Sequence, residues 1–256
     1  MLLIDYSLET PQANLAFDEA LLESLEPNSL YQPTTVLQST LLDSEKSDEP
    51  SALESLRLWE MPSMCVIMGR GSKEAEVDLL ACAQDGVPVL KRCSGGASIV
   101  AGPGCLMYSL LLSLEHRPPL RSIDTTHAFV MQKIHEAIAT MVPQIHVQGT
   151  CDLSLGNRKF SGNAVKYKRE WLLYHGTLLY QFPIATVSRY LKMPPRQPAY
   201  REARDHSDFL VNLECNPNSL RQALTVAWKA DQPWASHPHS TTILNTMQSI
   251  LGTKYA

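Results

Sequence analysis

Two short stretches of this 256-residue sequence carry side chains suited to chemistry. The first, KRCSGGASIVAGPG, runs from Lys91 to Gly104 and places two cations beside a Ser-Gly-Gly turn, whose backbone N–H groups can reach an anion because no Cβ blocks the approach. The second, KFSGNA, runs from Lys159 to Ala164 and sets a lysine before small residues, so its charged head can stand over a phosphate or carbonyl oxygen. Together the two stretches predict a site for an activated acyl or phosphate group.

The hydropathy pattern predicts the strands that present these stretches. A strand over 87–91 delivers the glycine turn, and a nearly continuous apolar strand over 106–114 follows it. The lysine stretch belongs to a meander with a Gly156-Asn157 turn, which suits a hairpin because both residues tolerate a positive φ. The predicted meander strands are 145–148, 151–155, 159–167 and 171–182, and their alternation favours antiparallel pairing with one face toward a ligand.

Helices and further strands complete the predicted organisation. Asn14 is expected to cap a first helix, on which Asp18 and Glu19 are polar exceptions that deserve a test. The predicted helices are 14–25, 72–84, 126–141, a short one within 183–193 and a last one at 219–228, and the further strands are 2–7, 56–59 and 65–68. The segment 196–213 is either a solvated surface segment or a basic loop that closes over the site or meets an acidic partner.

Length and charge limit the class of protein. A chain of this size fits one domain over residues 1–256, with a polar surface insertion from Pro27 to Leu56 to which no chemistry is assigned. The formal net charge of −4, with basic residues mostly scattered, argues against a general nucleic-acid binder. No apolar run approaches the roughly 18 residues that suggest a membrane span, and the N-terminus does not resemble a signal peptide.

Cysteine usage indicates a reducing compartment. The six cysteines show neither CxxC nor Cys/His ligand spacing, so reduced thiols in a cytoplasm are expected rather than disulfides. No structural zinc or other resident metal site is predicted.

The order of four motifs resembles the lipoate-protein ligase A family, within the superfamily of biotin and lipoate ligases and octanoyltransferases. The opening motif lies between Pro11 and Leu21, and the resemblance spans about residues 1 to 215. The other three motifs are Arg92-x-Ser94-Gly95-Gly96, Lys159-x-Ser161-Gly162-x-Ala164 and His175-Gly176-Thr177-Leu178-Leu179.

The resemblance implies a fold, an activity and partners. The fold would be a mixed α/β (α+β) catalytic domain with a central, largely antiparallel sheet flanked by helices. Many members also carry a C-terminal accessory domain, which is not expected here because too few residues follow Trp228 to build one. The activity would be to hold a lipoyl or octanoyl group as its adenylate, with ATP and Mg²⁺, and to pass it to a lysine. The acceptor would be a lipoyl domain of a 2-oxoacid dehydrogenase or the glycine-cleavage H protein, and a separate accessory chain is a further candidate partner.

The resemblance also implies roles for individual residues. Lys159 would contact the adenylate and be the main catalytic residue, and Asp152 would be the acid near the adenylate, acting through Mg²⁺. The residues implied to bind acyl-adenylate or substrate are Arg92, Ser94, Gly95, Gly96, Ala97, Asp152, Ser161, Gly162, Ala164, His175, Gly176 and Thr177.

Departures from the family pattern leave alternatives open. Ala97 stands where a third glycine is usual, Ala101-Gly102 where His-Asp is frequent, and Cys151 where a lipoate ligase typically has asparagine. Cys151 is therefore a second catalytic candidate, as the nucleophile of an ATP-independent octanoyl or lipoyl transferase that forms a thioester. A third alternative is a non-catalytic relative that binds lipoyl-type ligands or a partner. A biotin ligase is disfavoured, since KFSGNA and HGTLL match lipoate enzymes better.

Overall fold

The computed structural model describes residues 1–25, 53–234 and 239–255. The helices in these ranges are α1 (Pro11–Glu23), α2 (Leu79–Asp85), α3 (Ile123–Ala139), α4 (Val187–Tyr190), α5 (His206–Phe209), α6 (Pro217–Ala227) and α7 (Ser240–Lys254). The strands are β1 (Leu2–Asp5), β2 (Ser55–Trp59), β3 (Cys65–Met68), β4 (Val89–Lys91), β5 (Ile99–Ala101), β6 (Cys105–Ser113), β7 (Ile145–Gln148), β8 (Asp152–Leu155), β9 (Arg158–Ser161), β10 (Asn163–Tyr167), β11 (Trp171–Leu179) and β12 (Gln232–Pro233).

The main sheet has six strands in the order β10-β11-β6-β2-β1-β12. Its first four strands are antiparallel neighbours, whereas β1 pairs in parallel with both β2 and β12. Two three-stranded sheets, β4-β3-β5 and β7-β8-β9, complete the strand structure of the described residues. This mixed α/β architecture, with helices packed on mixed sheets, confirms the predicted fold class.

The core forms on both faces of the main sheet. Every residue of β6 is buried, as its continuous apolar pattern predicts. Because side chains alternate across a strand, Leu110 and Leu112 pack with α3 and α6 on one face, and Leu111 packs with α1 and α7 on the other. At roughly 2 kcal/mol for each fully buried leucine, these two layers hold β6 and β11 firmly at the centre.

Helix α1 begins before its predicted position, because Thr10 rather than Asn14 is its N-cap. The Thr10 hydroxyl accepts a bond from the Ala13 N–H at 3.1 Å, and Pro11 occupies the first turn, where its missing N–H costs nothing. Asn14 is fully buried, and its side-chain amide bonds both the N–H and the carbonyl of Leu8. Asn14 therefore ties the preceding loop to the helix.

The helix predicted at 72–84 is shorter in the structure. A short 3₁₀ turn, Glu74–Glu76, comes first, and α2 begins after Asp78, whose carboxylate accepts a bond from the Ala81 N–H at 2.9 Å. Gly86, at φ 64°, ends the helix in the left-handed conformation that glycine tolerates.

The prediction that the last helix lies at 219–228 is wrong. Helix α6 occupies that region, but α7 follows it and packs against α1. Ile243 and Met247, four residues apart, are buried in that contact. The polar residues around them weaken the apolar periodicity, which explains why the sequence pattern alone did not predict the helix.

The single strand predicted over 159–167 is two strands in different sheets. Strand β9 pairs with β8, β10 pairs with β11, and the chain changes sheet at Gly162. A Cβ at Gly162 would lie 2.8 Å from Lys159 Nζ, so the bare glycine leaves room for the lysine to fold back over the break. The predicted Gly156-Asn157 turn does join β8 to β9, with Gly156 at φ 59°.

Most of the predicted polar insertion lies outside the described residues. Its last residues, Ser55 and Leu56, are buried within β2 and belong to the main sheet. None of the described helices is long and apolar enough to cross a membrane.

Candidate active site

Two clefts meet at Lys159. The α1 cleft encloses about 580 Å³ when the open solvent at its mouth is included, and its lining includes Leu15 and Asp18 of α1 with Trp59, Ile67 and Met107. The α5 cleft encloses about 840 Å³ on the same basis, and its lining includes Phe160, Leu179, Lys192, Arg201 and Phe209. Both are lined by Ala97, Ile99, Lys159, Gly162 and Thr177. Lys159 therefore lies at the point where a ligand that occupies both clefts would pass from one cleft into the other.

The amine of Lys159 is held by a carboxylate. Lys159 Nζ lies 2.7 Å from Asp152 Oδ1, and the Tyr200 hydroxyl donates to Asp152 Oδ2 at 2.8 Å. The Lys159 side chain keeps about a quarter of its surface exposed, so it can still meet a ligand. Burial and the Asp152 charge raise the pKa of the Tyr200 hydroxyl, which therefore stays protonated and donates.

Arg92 shapes the glycine turn from within. Its Nη2 donates to the carbonyls of Gly95 (2.5 Å) and Ala97 (3.0 Å), and its Nε donates to Ser94 Oγ (3.0 Å). Burial lowers the pKa of Arg92 to about 10, which leaves it charged at neutral pH. Gly96 lies at φ 89°, a conformation that favours glycine.

The backbone N–H groups of this turn are available to a ligand. Within the described ranges, those of Gly95, Gly96 and Ala97 donate no hydrogen bond. Because Gly95, Gly96 and Ala97 are also exposed, their N–H groups remain available to an anion, which is the role that the sequence predicts for this turn.

His175 connects α1 to the glycine turn. Its Nδ1 lies 3.3 Å from Asp18 Oδ2, and its Nε2 lies 2.6 Å from Ser94 Oγ. Asp18 also accepts bonds from Arg57 Nη1 at 2.7 Å and from Ser109 Oγ at 2.6 Å. Burial alone would raise the pKa of Asp18, but the His175 bond and the Arg57 charge lower it below its ordinary value, so the carboxylate is ionised.

The KFSGNA motif is fixed by the asparagine within it. The Asn163 amide donates to the Cys151 carbonyl at 2.6 Å and to Ser161 Oγ at 3.2 Å, and its oxygen accepts a bond from the Tyr108 hydroxyl. Gly176 of β11 pairs with Asn163 of β10, and a Cβ at Gly176 would lie 1.8 Å from Asn163 Oδ1. Gly176 therefore makes room for this amide.

The remaining motif residues bring the two stretches together. Thr177 N–H donates to the Gly162 carbonyl at 3.2 Å, which joins β11 to the sheet break. Ala164 Cβ lies 3.9 Å from the Cβ position of Gly96, so the lysine motif and the glycine turn are in contact.

Cys151 packs against the core beside the lysine motif. It is half-buried, outside the linings of both clefts, and its thiol donates to the Asn163 carbonyl at 3.3 Å. Burial and the neighbouring Asp152 charge raise the pKa of the thiol to about 11, which opposes thiolate formation at neutral pH.

Most predicted site residues meet at the clefts. Those that line one or both are Arg92, Gly96, Ala97, Lys159, Ser161, Gly162, Ala164, His175, Gly176 and Thr177. Ser94, Gly95 and Asp152 line neither cleft; Ser94 is fully buried, whereas Gly95 is exposed.

Sequence reasoning missed three contributors. Tyr200 carries no local signal, since it follows Lys159 by 41 residues in a segment without periodicity. Arg57 had a signal, a lone charge inside the apolar strand SLRLW, and in the structure it is fully buried between the Phe17 and Trp59 rings. Asn163 occupies a position that the lysine motif leaves unspecified.

The segment 196–213 lines part of the α5 cleft rather than lying wholly in solvent. It brings Tyr200 to Asp152 and places Arg201 in the lining of the α5 cleft. Arg201 is almost fully buried and stacks on the Phe209 ring, 4.7 Å from its centroid. The segment therefore adds one buried arginine to the wall of the α5 cleft.

Comparison with known proteins gives one family match. The model of the lipoyl protein ligase A/B catalytic domain matches residues 10–226. A Mycoplasma genitalium protein named "Probable lipoate-protein ligase A" is 25% identical over 178 residues, which cover 70% of this chain and 51% of that protein. The chain thus spans about half the length of this curated relative.

Three solved structures share the fold. A Thermoplasma acidophilum protein with bound lipoic acid has a TM-score of 0.71 at 17% identity, covering 100% of this chain and 96% of the other. A bi-partite lipoate protein ligase from the same organism, described with its E2 lipoyl domain, has a TM-score of 0.73 at 18% identity, covering 100% and 94%. A lipoate-protein ligase A bound with ATP has a TM-score of 0.72 at 17% identity, covering 99% and 95%.

Proposed function

This chain belongs to the lipoyl protein ligase A/B catalytic-domain family, and from that premise we propose that it activates lipoate or octanoate as an acyl-adenylate and transfers the acyl group to a lysine of an acceptor domain. The observation that carries the proposal is the position of Lys159, whose amine stands where the two clefts meet, beside the glycine turn. An acyl-adenylate has an apolar chain at one end and a nucleotide at the other, joined by a phosphate, and two joined clefts suit such a ligand.

The side chains that line each cleft support a different part of the adenylate as its proposed occupant. The α1 cleft, with Leu15, Trp59 and Met107, suits the apolar acyl chain. The α5 cleft is larger and carries the cations Lys192 and Arg201, which suits the nucleotide. The phosphate would then lie between Lys159 and the free N–H groups of the glycine turn.

Each chemical step has a protein group that serves it. An oxygen of the acid attacks the α-phosphorus of ATP and pyrophosphate leaves, so the acid becomes a mixed anhydride with AMP. Lys159 and the turn N–H groups stabilise the charge that develops on the phosphate oxygens. The acceptor amine then attacks the acyl carbon, the carbon–oxygen bond to AMP breaks, and the amine loses a proton as the amide forms. Holding both partners in one site lowers the entropic barrier to this second step.

Mg²⁺ fits the site as a companion of ATP. The described residues hold no group of three or more His, Cys, Asp and Glu side chains suited to a metal. Mg²⁺ is commonly held by one or two carboxylates together with phosphates and water, and Asp152 supplies one carboxylate beside Lys159. Asp152 would hold the ion, which would supply charge neutralisation at the phosphates.

We propose lipoyl domains of 2-oxoacid dehydrogenases, or the glycine-cleavage H protein, as acceptors in the cytoplasm. The Thermoplasma ligase described with its E2 lipoyl domain supports the lipoyl-domain class. That ligase is bi-partite, which supports a separate accessory chain as a second partner.

Intact-mass measurement of an apo lipoyl domain tests the proposal. The domain is incubated with this protein and lipoate, with and without ATP and Mg²⁺, and in a parallel tube with octanoyl carrier protein. A mass gain that requires ATP is the expected result. A gain only from octanoyl carrier protein would instead identify an ATP-independent transferase. No gain in any tube would contradict activity of the chain alone and favour a non-catalytic relative or a need for the accessory chain.

A further inference from the structure

We infer that Asp18 is a positioning residue for the glycine turn, acting through a hydrogen-bond chain of fixed direction that runs from Arg92 through Ser94 and His175 to Asp18. The inference rests on the proposed function, because its purpose is to hold the turn ready for the phosphate of the adenylate. The four residues come from three separate parts of the fold, namely α1, the turn after β4, and β11.

The residues of this hydrogen-bond chain are almost entirely buried. The exposed surface is 0% for Ser94, 2% for Asp18 and 8% for both His175 and Arg92. Its three bonds are Arg92 Nε to Ser94 Oγ at 3.0 Å, Ser94 Oγ to His175 Nε2 at 2.6 Å, and His175 Nδ1 to Asp18 Oδ2 at 3.3 Å. Buried polar groups of this kind are costly to leave unpaired, so the chain must be satisfied throughout.

The donors and acceptors at the Arg92 end set the direction. A guanidinium can only donate, so Ser94 Oγ accepts from Arg92 Nε. The Ser94 hydroxyl proton then has one bonded partner among the described residues, His175 Nε2. His175 Nε2 must therefore accept, which places the ring proton on Nδ1, where it is donated to Asp18.

The Asp18 end agrees with this direction. Arg57 donates to Asp18 Oδ1 and Ser109 donates to Asp18 Oδ2, so the carboxylate accepts at both oxygens. Arg57 is itself fully buried, between two aromatic rings, and keeps a positive charge beside Asp18. An ionised Asp18 is thus a permanent acceptor for the His175 Nδ1 proton.

The chain ends on the group that shapes the turn. Ser94 fixes Arg92 Nε, and the Nη2 of the same guanidinium holds the carbonyls of Gly95 and Ala97. Loss of the Ser94 acceptor would leave Arg92 Nε with only its longer bond to the Gly95 carbonyl at 3.2 Å, so the guanidinium and the turn that it holds would be less firmly oriented.

The order Asp18, His175, Ser94 resembles a nucleophilic triad, but the geometry excludes that role here. Ser94 has no exposed surface and lies outside the linings of both clefts, so its oxygen does not meet a substrate. Both ring nitrogens of His175 are occupied within the chain, which leaves neither free to take a proton from a substrate.

Nitrogen-15 NMR of the histidine rings tests the direction without any measurement of activity. The protein is labelled at histidine, and the His175 signals are identified by their loss in His175→Gln, with exposed His146→Gln as the matched control. At pH 8 the expected pattern is a proton on Nδ1 and none on Nε2. In Ser94→Ala the His175 Nε2 resonance should shift, whereas in Ser109→Ala it should stay. A proton on Nε2, or on both nitrogens, overturns the inference even if the protein makes the adenylate.

A coupling measurement tests the functional claim. We expect Ser94→Ala and Asp18→Asn each to slow adenylate formation about tenfold, and the double variant to be no slower than the slower single variant, because both break one chain. Ser109→Ala is the matched control, since Ser109 bonds the same Asp18 oxygen but lies off the path to the turn, and its effect should multiply with that of Ser94→Ala. Multiplying effects for Asp18→Asn and Ser94→Ala would overturn the claim. Where Asp18→Asn does not fold, His175→Gln replaces it in the cycle.

Discussion

Lys159 Nζ lies 2.7 Å from Asp152 Oδ1, and this pair stands at the junction of the α1 and α5 clefts. The lysine is on β9 and the aspartate begins β8, so the hairpin turn at Gly156 sets their distance. Tyr200, from a segment much later in the chain, bonds the other oxygen of the same carboxylate at 2.8 Å. The position of the amine therefore depends on two separate parts of the chain.

Tyr200→Phe should slow the reaction by about fivefold. The hydroxyl orients Asp152 without contacting the ligand, so we expect a loss of about 1 kcal/mol, the net value of a typical hydrogen bond. The measurement is the rate of lipoyl-domain modification at saturating lipoate and ATP. Tyr190→Phe is the matched control, because Tyr190 donates to Asp85 and neither residue lines a cleft. Equal rates for Tyr200→Phe and the control would remove the role of Tyr200.

Alanine substitutions at two neighbouring glycines should have different effects, one on ligand affinity and the other on the stability of the fold. A Cβ at Gly95 meets nothing within 4 Å, so Gly95→Ala should melt like the wild-type protein yet bind the adenylate at least tenfold more weakly, because the methyl group blocks the phosphate.

A Cβ at Gly96 would instead lie 2.8 Å from Arg92 Nη2, and Gly96 has a φ of 89°, which an alanine rarely adopts. Gly96→Ala should therefore lose about 1–2 kcal/mol of stability. Thermal melting and calorimetric titration distinguish the two. Wild-type affinity in Gly95→Ala would place the phosphate elsewhere.

Cys151→Ser should retain the wild-type rate of acyl transfer. Burial raises the pKa of the Cys151 thiol to about 11, so the protonated form dominates below that pH and the reactive thiolate appears only as the pH rises toward it. Alkylation of Cys151 by iodoacetamide, followed by peptide mass, should accordingly be slow at pH 7 and faster at pH 10. Abolished transfer in Cys151→Ser would instead support the thioester route.

Motif residues and their order predicted the glycine turn and the lysine hairpin, because each is a local feature of the sequence. The glycine turn and the lysine motif contact each other through Ala164 and Gly96, as the predicted shared site requires. The sheet order was not predictable from periodicity, since the change of sheet at Gly162 depends on how Lys159 folds back.

Long-range partners escaped the sequence for a physical reason. Tyr200 and Asp152 are 48 residues apart, and no local pattern encodes a bond between loops. The buried pair of Arg57 and Asp18 likewise joins a strand to a helix 39 residues away. Helix α7 was missed because only two of its side chains, Ile243 and Met247, are fully buried.

Lipoate-dependent exchange of labelled pyrophosphate into ATP tests the central claim most directly, because it reports adenylate formation without an acceptor. The wild-type protein should exchange only when lipoate or octanoate is present. Lys159→Ala should exchange at least 100-fold more slowly, a loss of about 3 kcal/mol of transition-state stabilisation. Lys133→Ala, which removes a lysine that lies over Phe129 and Trp228, is the matched control and should exchange normally. Wild-type exchange in a folded Lys159→Ala protein would contradict the account.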